Sequence, residues 1–183
     1  HRPERNRSTP TDFQSRMNLE SRSVSEGNSA LQKQKPSSAP AEELMPPFDY
    51  TTAFSRNIGW LTEAEQRVLR TKRVAIAGMG GVGGFHLLTL VRLGVEKFNI
   101  ADLDTFELAN FNRQAGAAMS TLDRPKVEVL AKMAREINPE ADIRLFPHGV
   151  NQQNLAEFFQ DVDIYVDGLD FFAFDAREQL FNY

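Results

Sequence analysis

Hydrophobic residues are unevenly distributed along the chain. Residues 1–45 contain only scattered apolar side chains among Ser, Arg, Glu, Gln and Pro, too few to offset the entropy lost on folding. Residues 36–47 are rich in Pro and Ser, which is typical of a linker. We therefore predict that residues 1–47 form a disordered tail and linker, and that order begins near Phe48.

From residue 48 onward, short apolar runs alternate with segments of helical periodicity. Uninterrupted apolar runs predict parallel strands covered on both faces over residues 74–77, 98–101, 143–146 and 162–166. Helices are predicted between them, over residues 82–93 and 152–160 and from Asp123, as N-cap, to Ile137. A further helix, capped by Thr62 and ending near Arg70, precedes the first strand.

The alternation of strands and helices predicts a Rossmann-like, doubly wound α/β fold with a parallel sheet. If the strand order is 3-2-1-4, ligands bind beyond the carboxyl ends of strands 1 and 4. The first residue is His rather than Met, and Tyr183 falls within a starting helix. We therefore expect a sheet truncated after about four strands, with residues 48–183 as the N-terminal part of a larger domain.

A glycine-rich loop lies between the first predicted strand and the following helix. Gly78, Gly80, Gly81 and Gly83 give the GxGxxG spacing in the context that pyrophosphate binding requires. The alternative is a turn that needs glycine only for close packing. Asp102, at the end of the second strand, is placed either to bind ribose hydroxyls or to form an Asx turn.

Four polar residues after Asp102 distinguish an ATP site from an NAD site. Asn110, Arg113, Gln114 and Lys126 supply cations and amides, which nucleotidyl transfer needs where charge builds up on phosphates and hydride transfer does not. Taken singly, each is an ordinary surface residue. Lys126, however, lies near a helix start, where a cation is unfavourable to the helix dipole, so its placement indicates another role.

The loop after the fourth strand contains a candidate magnesium ligand. Asp170 lies at the predicted crevice, where a carboxylate beside a triphosphate would hold Mg²⁺. A loop-capping role fits the spacing equally well, and Asp167 is a weaker candidate. Arg56 cannot be placed from spacing within its own chain.

The remaining conspicuous side chains have no predicted chemistry. His86 and His148 lack partners at triad or metal-site spacing, so no role is assigned to them. Trp60 and the aromatic residues of 171–174 are interpreted as packing residues.

Composition narrows the functional class. The chain is 41% hydrophobic, contains no Cys and has a formal net charge of −4, with the acidic excess in residues 46–183. A cysteine nucleophile and a Cys-ligated zinc site are excluded within these residues, and nucleic acid is not expected as the main partner. The basic start of the sequence is not followed by an apolar segment, so we expect no signal peptide. Because no apolar run approaches about 20 residues, we also expect no membrane association and a cytoplasmic location.

Together these residues resemble the E1-like activating superfamily, which includes the ThiF and MoeB adenylyltransferases and ubiquitin-activating enzymes. The D-x-D…N-x-x-R-Q run followed by P-K is the specific part of the resemblance. The matching segments are FSRN at 54–57, GMGGVGG at 78–84, ADLDTFELANFNRQ at 101–114, RPK at 124–126, INP at 137–139 and the DGLD…AR run at 167–177.

The resemblance implies that a carboxylate attacks the α-phosphate of an ATP–Mg²⁺ complex, giving an acyl-adenylate and pyrophosphate. The implied acceptor is the C-terminal glycine of a ubiquitin-like or sulfur-carrier protein. By position, Gly81 would lie in the phosphate loop and Asp102 would bind ribose, with Asp104 and Gln114 also in the nucleotide site. Asn110, Arg113 and Lys126 would contact the phosphates and Asp170 the magnesium.

Arg56 would reach the γ-phosphate of the ATP bound by the partner subunit, which implies a homodimer. Two other hypotheses remain at this point. An NAD-dependent oxidoreductase is supported by the glycine loop and Asp102, and a catalytically inactive E1-like scaffold is the non-enzymatic alternative.

Overall fold

The computed structural model describes residues 47–171 and 173–183. The predicted disordered tail therefore lies outside the described residues, apart from Pro47. The helices and strands, in chain order, are α1 Tyr50–Ala53, α2 Glu63–Thr71, β1 Arg73–Ala77, α3 Gly83–Arg92, β2 Lys97–Ala101, α4 Lys126–Ile137, β3 Asp142–Phe146, α5 Leu155–Phe158, β4 Ile164–Asp167 and α6 Phe174–Phe181. Short 3₁₀ turns occupy Ser55–Asn57, Leu108–Asn110 and Met119–Thr121.

The four strands form one parallel sheet in the order β3-β2-β1-β4. In the central strand, Val74 is paired with Phe98 of β2 and with Ile164 of β4. The predicted Rossmann-like fold and strand order are confirmed. The chain reverses its direction of winding between β1 and β4, which opens a crevice at their carboxyl ends.

Both faces of β1 are buried, as its uninterrupted apolar sequence predicts. On one face Val74 and Ile76 pack with the core of α3 and α4, while on the other Ala75 and Ala77 pack with Phe158 and its neighbours. The central strand therefore provides a rigid support for the loop that follows it.

Two helix starts show how far local signals can predict boundaries. Thr62 caps α2 in a capping box with Glu65, as expected for its N-cap. The prediction that Asp123 caps α4 was wrong, because Pro125 occupies the N-cap and Lys126 is the first helical residue. Asp123 instead adopts φ +60° and donates its N–H to the carbonyl of Phe106, which delays the start of the helix.

The helix predicted over residues 152–160 is shorter, covering Leu155–Phe158. Asn151 and Asn154 accept backbone N–H groups through their side chains, which competes with helical hydrogen bonding before residue 155.

The packing interpretation of Trp60 was also wrong, since this residue is 93% exposed. Phe171 and Phe174 are exposed and contact each other with ring centroids 5.8 Å apart.

The segment before β1 is attached to the turn between α3 and β2. The Tyr50 hydroxyl donates to the carbonyl of Gly94 at 2.6 Å, and Gln66 Nε2 donates to that hydroxyl at 3.0 Å. Asn57 Nδ2 donates to the carbonyl of Leu93 at 3.1 Å. The two bonds of the Tyr50 hydroxyl are buried, and the exposed bond of Asn57 holds the turn that contains Arg56. No helix among the described residues is long and apolar enough to span a bilayer.

Candidate functional site

A cavity of about 630 Å³ opens at the carboxyl end of the sheet. Its volume is in the range of small-molecule sites. Arg56 and Gly83 do not line it, whereas the other predicted site residues do, namely Gly78, Gly80, Gly81, Asp102, Asp104, Asn110, Arg113, Gln114, Lys126 and Asp170. Segments that are distant in sequence therefore meet at the predicted crevice.

The glycine loop has a backbone that side chains would disrupt. Gly78 has φ +86°, and a Cβ there would lie 2.4 Å from the carbonyl oxygen of Gly168. A Cβ at Gly83 would lie 1.8 Å from the carbonyl oxygen of Gly78. Gly83 therefore allows the loop to turn into α3, although it does not line the cavity. The loop leaves its backbone accessible to a phosphate group.

Asp102 links the glycine loop to the chain after β2. One carboxylate oxygen accepts the N–H of Met79 at 2.6 Å, and the other accepts the N–H of Asp104 at 2.8 Å. The second bond is the Asx turn that was the alternative to ribose binding. Because each carboxylate oxygen has a further lone pair, the Asx turn and hydrogen bonding to ribose hydroxyls are compatible.

Lys126 is nearly buried and is paired with Asp104. The lysine side chain is 6% exposed, and its ammonium group lies 2.9 Å from Asp104 Oδ2. Its backbone N–H also donates to the carbonyl of Asp104 at 3.0 Å. The ion pair explains how a cation is tolerated in the first turn of α4.

The 3₁₀ turn Leu108–Asn110 and the turn after it lie against the glycine loop. Asn110 Oδ1 accepts the N–H of Glu107 at 2.9 Å, while the exposed Arg113 donates to the carbonyl of Ala109 at 3.0 Å. A Cβ at Gly81 would be 3.4 Å from the carbonyl oxygen of Arg113, so the two segments are in contact. Within the described part of the chain, the buried Oε1 of Gln114 has no hydrogen-bond partner.

The two aspartates after β4 differ in availability. Asp167 is bonded to the guanidinium of Arg177, and this bond raises the pKa of the arginine. Arg177 also donates to the carbonyl of Leu169 at 3.2 Å, which fixes the loop. Asp170 is exposed, lines the cavity and accepts the N–H of Phe171 at 2.6 Å. Arg177 belongs to the DGLD…AR run at 167–177, but the sequence alone did not predict a role for it.

The donor set fits a magnesium ion held jointly with phosphates. Among residues 47–171 and 173–183, no group of three or more His, Asp or Glu side chains is close enough to hold a metal by itself. Asp170 provides one carboxylate facing the cavity, and Mg²⁺ is commonly bound by one or two carboxylates together with substrate phosphates and water.

One wall of the cavity was not predicted. His148, Gly149 and Val150 follow β3 and line the cavity together with Leu103. Their position depends on β3 lying next to β2, which no local motif indicates. His148, to which no role was assigned, therefore lies at the candidate site.

The family model described as "ThiF family" matches residues 54–183. The chain is 32% identical to the tRNA threonylcarbamoyladenosine dehydratase of Bacillus subtilis, over 64% of this chain and 46% of that protein. It is 31% identical to the molybdopterin-synthase adenylyltransferase of Haemophilus influenzae, over 63% of this chain and 46% of that protein.

Among solved structures, the chain is similar to the tRNA N6-threonylcarbamoyladenosine dehydratase of Escherichia coli in complex with ATP. The TM-score is 0.63 at 26% identity, covering 66% of this chain and 50% of the other. The chain thus spans half or less of the length of these relatives. Because the family model covers most of the residues, from 54 to 183, the chain belongs to the ThiF family.

Proposed function

We propose that the protein is an ATP-dependent adenylyltransferase that activates a carboxylate. The observation that carries this proposal is the meeting of two cations, Arg113 and Lys126, with the glycine loop and Asp102 in one cavity. The glycine loop and Asp102 alone would suit any nucleotide that contains a ribose and a diphosphate. The cations are what adenylyl transfer requires in addition, because negative charge develops on the leaving pyrophosphate.

In the proposed reaction a carboxylate oxygen of the acceptor attacks the α-phosphorus of ATP. The bond from that phosphorus to the bridging oxygen breaks, and the electron pair leaves with pyrophosphate. Asp102 orients the ribose, and the backbone of Gly80 and Gly81 approaches the phosphates. Lys126 and Arg113 stabilise the charge on the phosphate oxygens.

Asp170 is the proposed ligand of a magnesium ion. When bound, Mg²⁺ would neutralise charge on the phosphates. Asp167 is not expected to share this role, because its carboxylate is bonded to Arg177. Arg177 instead holds the loop that presents Asp170.

Arg56 is proposed to act in a homodimer. It lies in an exposed turn and does not line the cavity of its own chain. The bonds of the neighbouring Asn57 to Gln66 (3.2 Å) and to the carbonyl of Leu93 (3.1 Å) hold this turn on the body of the domain. An exposed arginine on a turn that is held in this way is suited to reach the γ-phosphate of ATP in a partner subunit.

Two acceptor classes are proposed. The similarity to molybdopterin-synthase adenylyltransferases favours the C-terminal glycine of a ubiquitin-like or sulfur-carrier protein, as does the acidic net charge of this chain. The similarity to tRNA threonylcarbamoyladenosine dehydratases favours a carboxylate carried on tRNA. Hydride transfer with NAD is not favoured, since it would leave the cations at the cavity without a role.

Exchange of labelled pyrophosphate into ATP tests the proposal. The whole protein is assayed with a sulfur-carrier protein bearing a free C-terminal glycine and, separately, with tRNA containing threonylcarbamoyladenosine. We expect exchange with one of them, reduced at least about 100-fold by Arg113→Ala or Asp170→Ala. Arg92→Ala, an exposed arginine at the far end of α3, serves as the matched control.

The outcomes separate the alternatives. Tight NAD binding without exchange would indicate an oxidoreductase. Binding of ATP without exchange for either acceptor would indicate an inactive scaffold.

A further inference from the structure

A chain of hydrogen bonds joins the glycine loop to the first residue of α4. The N–H of Met79 bonds to Asp102, Asp102 accepts the N–H of Asp104, and Asp104 binds Lys126 at two points. We propose that Asp104 is a positioning residue, which holds the Lys126 ammonium at the phosphate site and balances its charge until a phosphate arrives. This inference rests on the proposed function.

The burial of the two partners is unequal. The Lys126 side chain is 6% exposed and the Asp104 side chain 58% exposed. An ammonium removed from water is costly unless a negative charge is close to it, whereas a largely exposed carboxylate is already hydrated. Lys126 therefore depends on Asp104 more than Asp104 depends on Lys126. Asp104 is therefore placed to stabilise and orient the Lys126 ammonium rather than to bind the nucleotide itself.

The two contacts fix both ends of a flexible side chain. The backbone N–H of Lys126 donates to the carbonyl oxygen of Asp104 at 3.0 Å, and the ammonium bonds to the carboxylate at 2.9 Å. Lysine otherwise has a long stem with many rotamers. Because the first contact uses only backbone atoms, it remains when the Asp104 side chain is replaced, so side-chain substitution isolates the electrostatic role.

Asp104 is also kept in register with the ribose-binding position. Its N–H donates to Asp102 Oδ1 at 2.8 Å, and Asp102 Oδ2 accepts the N–H of Met79 at 2.6 Å. A shift of the glycine loop would therefore be transmitted through Asp102 to Asp104 and Lys126. The ammonium is thus prepositioned relative to the loop that approaches the phosphates.

A positioning role predicts an effect opposite to that of a ligand role. Before nucleotide binds, the carboxylate of Asp104 competes with phosphate for the ammonium. Removing the charge of Asp104 leaves the Lys126 ammonium available to the phosphates, so nucleotide binding becomes stronger. The ammonium is then no longer held in the position that speeds the reaction, so the rate falls. If Asp104 were a nucleotide ligand or a purely structural residue, its removal would weaken binding.

The test compares wild type with Asp104→Asn in the full chain, with ATP, Mg²⁺ and inorganic pyrophosphate as probes in calorimetric titrations. We expect ATP and pyrophosphate to bind about twofold to fivefold more tightly, the range of a partly exposed ion pair. The rate of pyrophosphate exchange at saturating ATP is expected to fall about tenfold. Asp123→Asn, which removes the same charge from an exposed residue outside the cavity, is the matched control and should change neither quantity.

The Lys126→Met background completes the double-mutant cycle. In that background, Asp104→Asn should no longer tighten ATP binding, because the cation that it exposes is absent. The inference would be overturned if Asp104→Asn bound ATP no more tightly than wild type, or if its exchange rate at saturating ATP were unchanged. It would also be overturned if Asp104→Asn still tightened ATP binding in the Lys126→Met background. If wild type binds no ATP, the proposed function fails and the inference with it. If the wild-type protein binds ATP and exchanges pyrophosphate, but the variants do not behave as expected, only the role of Asp104 is refuted.

Discussion

Gly78 and Gly168 meet backbone to backbone at the point where β1 and β4 leave the sheet. A Cβ at Gly78 would lie 2.4 Å from the carbonyl oxygen of Gly168, and the N–H of Gly168 donates to the carbonyl of Ala77 at 2.8 Å. The glycine loop is therefore held against the loop that carries Asp170. This contact brings the proposed phosphate loop and the proposed magnesium ligand to the same end of the sheet.

The first prediction concerns that contact. Gly78→Ala should abolish ATP binding and lower the unfolding free energy by more than about 3 kcal/mol, because a left-handed backbone and a backbone clash combine. Gly59→Ala is the control, since Gly59 also has positive φ (+114°) but nothing lies within 4 Å of an added Cβ. It should show only the backbone strain, about 1–3 kcal/mol, with ATP binding retained. Equal effects of the two substitutions, in chemical denaturation and ATP titration, would contradict the assigned packing.

The second prediction compares adjacent glycines in α3. An added Cβ at Gly83 would be 1.8 Å from the carbonyl oxygen of Gly78, whereas one at Gly84 would be 3.3 Å from a methyl group of Leu130. Backbone cannot move aside as a side chain can. Gly83→Ala should therefore prevent ATP binding, while Gly84→Ala should bind ATP within about threefold of wild type, a difference below 1 kcal/mol. Calorimetric titration checks both, and normal ATP binding by Gly83→Ala would refute the geometry of the turn.

The third prediction concerns the two bonds of Asp102. Asp102→Ala removes the acceptors of the Met79 and Asp104 N–H groups, and Asp102→Asn retains one side-chain oxygen. We expect the unfolding free energy to fall by about 1–3 kcal/mol for each charge-assisted hydrogen bond that is lost. The decrease should therefore be larger in Asp102→Ala than in Asp102→Asn. ATP affinity should fall in both variants, because the proposed anionic acceptor of the ribose hydroxyls is lost. Denaturant unfolding combined with ATP titration measures the two effects, and unchanged affinity in both variants would exclude Asp102 from the nucleotide site.

The fourth prediction concerns acid stability. Bonds from the Lys72 ammonium (2.8 Å) and the Arg73 N–H (2.9 Å) lower the pKa of Asp163. The stabilisation is complete above the pKa of Asp in the unfolded chain, about 3.9, and is lost as the pH falls through the lower folded value. Asp163→Asn should therefore lose less unfolding free energy than wild type between about pH 5 and pH 2.

Lys72→Met provides the comparison for that experiment. It removes the first of the two donors but leaves the carboxylate, so the loss of stability on acidification should be smaller than in wild type and larger than in Asp163→Asn. Denaturant unfolding at a series of pH values measures the slopes. Three identical slopes would show that Asp163 does not contribute.

The fold could be predicted because its signals are local. The apolar run of β1, the glycines after it and the Asn138-Pro139 stop after α4 each depend on a few neighbouring residues. The strand order follows from short, right-handed crossovers between such elements. The start of α4 was mispredicted because it depends on the bond between Asp123 and Phe106, which are far apart in sequence.

The same distinction applies to the candidate site. Residues grouped by motif, such as Asn110 and Arg113, could be named from the sequence and do line the cavity, while their roles stay predictions. The pairing of Lys126 with Asp104 joins residues 22 positions apart, and the wall at His148 depends on which strands are neighbours. Such relationships are set by tertiary structure and have no local signature.

The fate of ATP labelled at its α-phosphate tests adenylyl transfer most directly. The whole protein is incubated with this ATP, Mg²⁺ and each candidate acceptor, and the labelled products are separated. We expect the label to appear in an acceptor adenylate, or in AMP after hydrolysis of that adenylate, together with an equal amount of pyrophosphate. Recovery of the label in ADP with release of inorganic phosphate, or intact ATP alongside tight NAD binding, would contradict it.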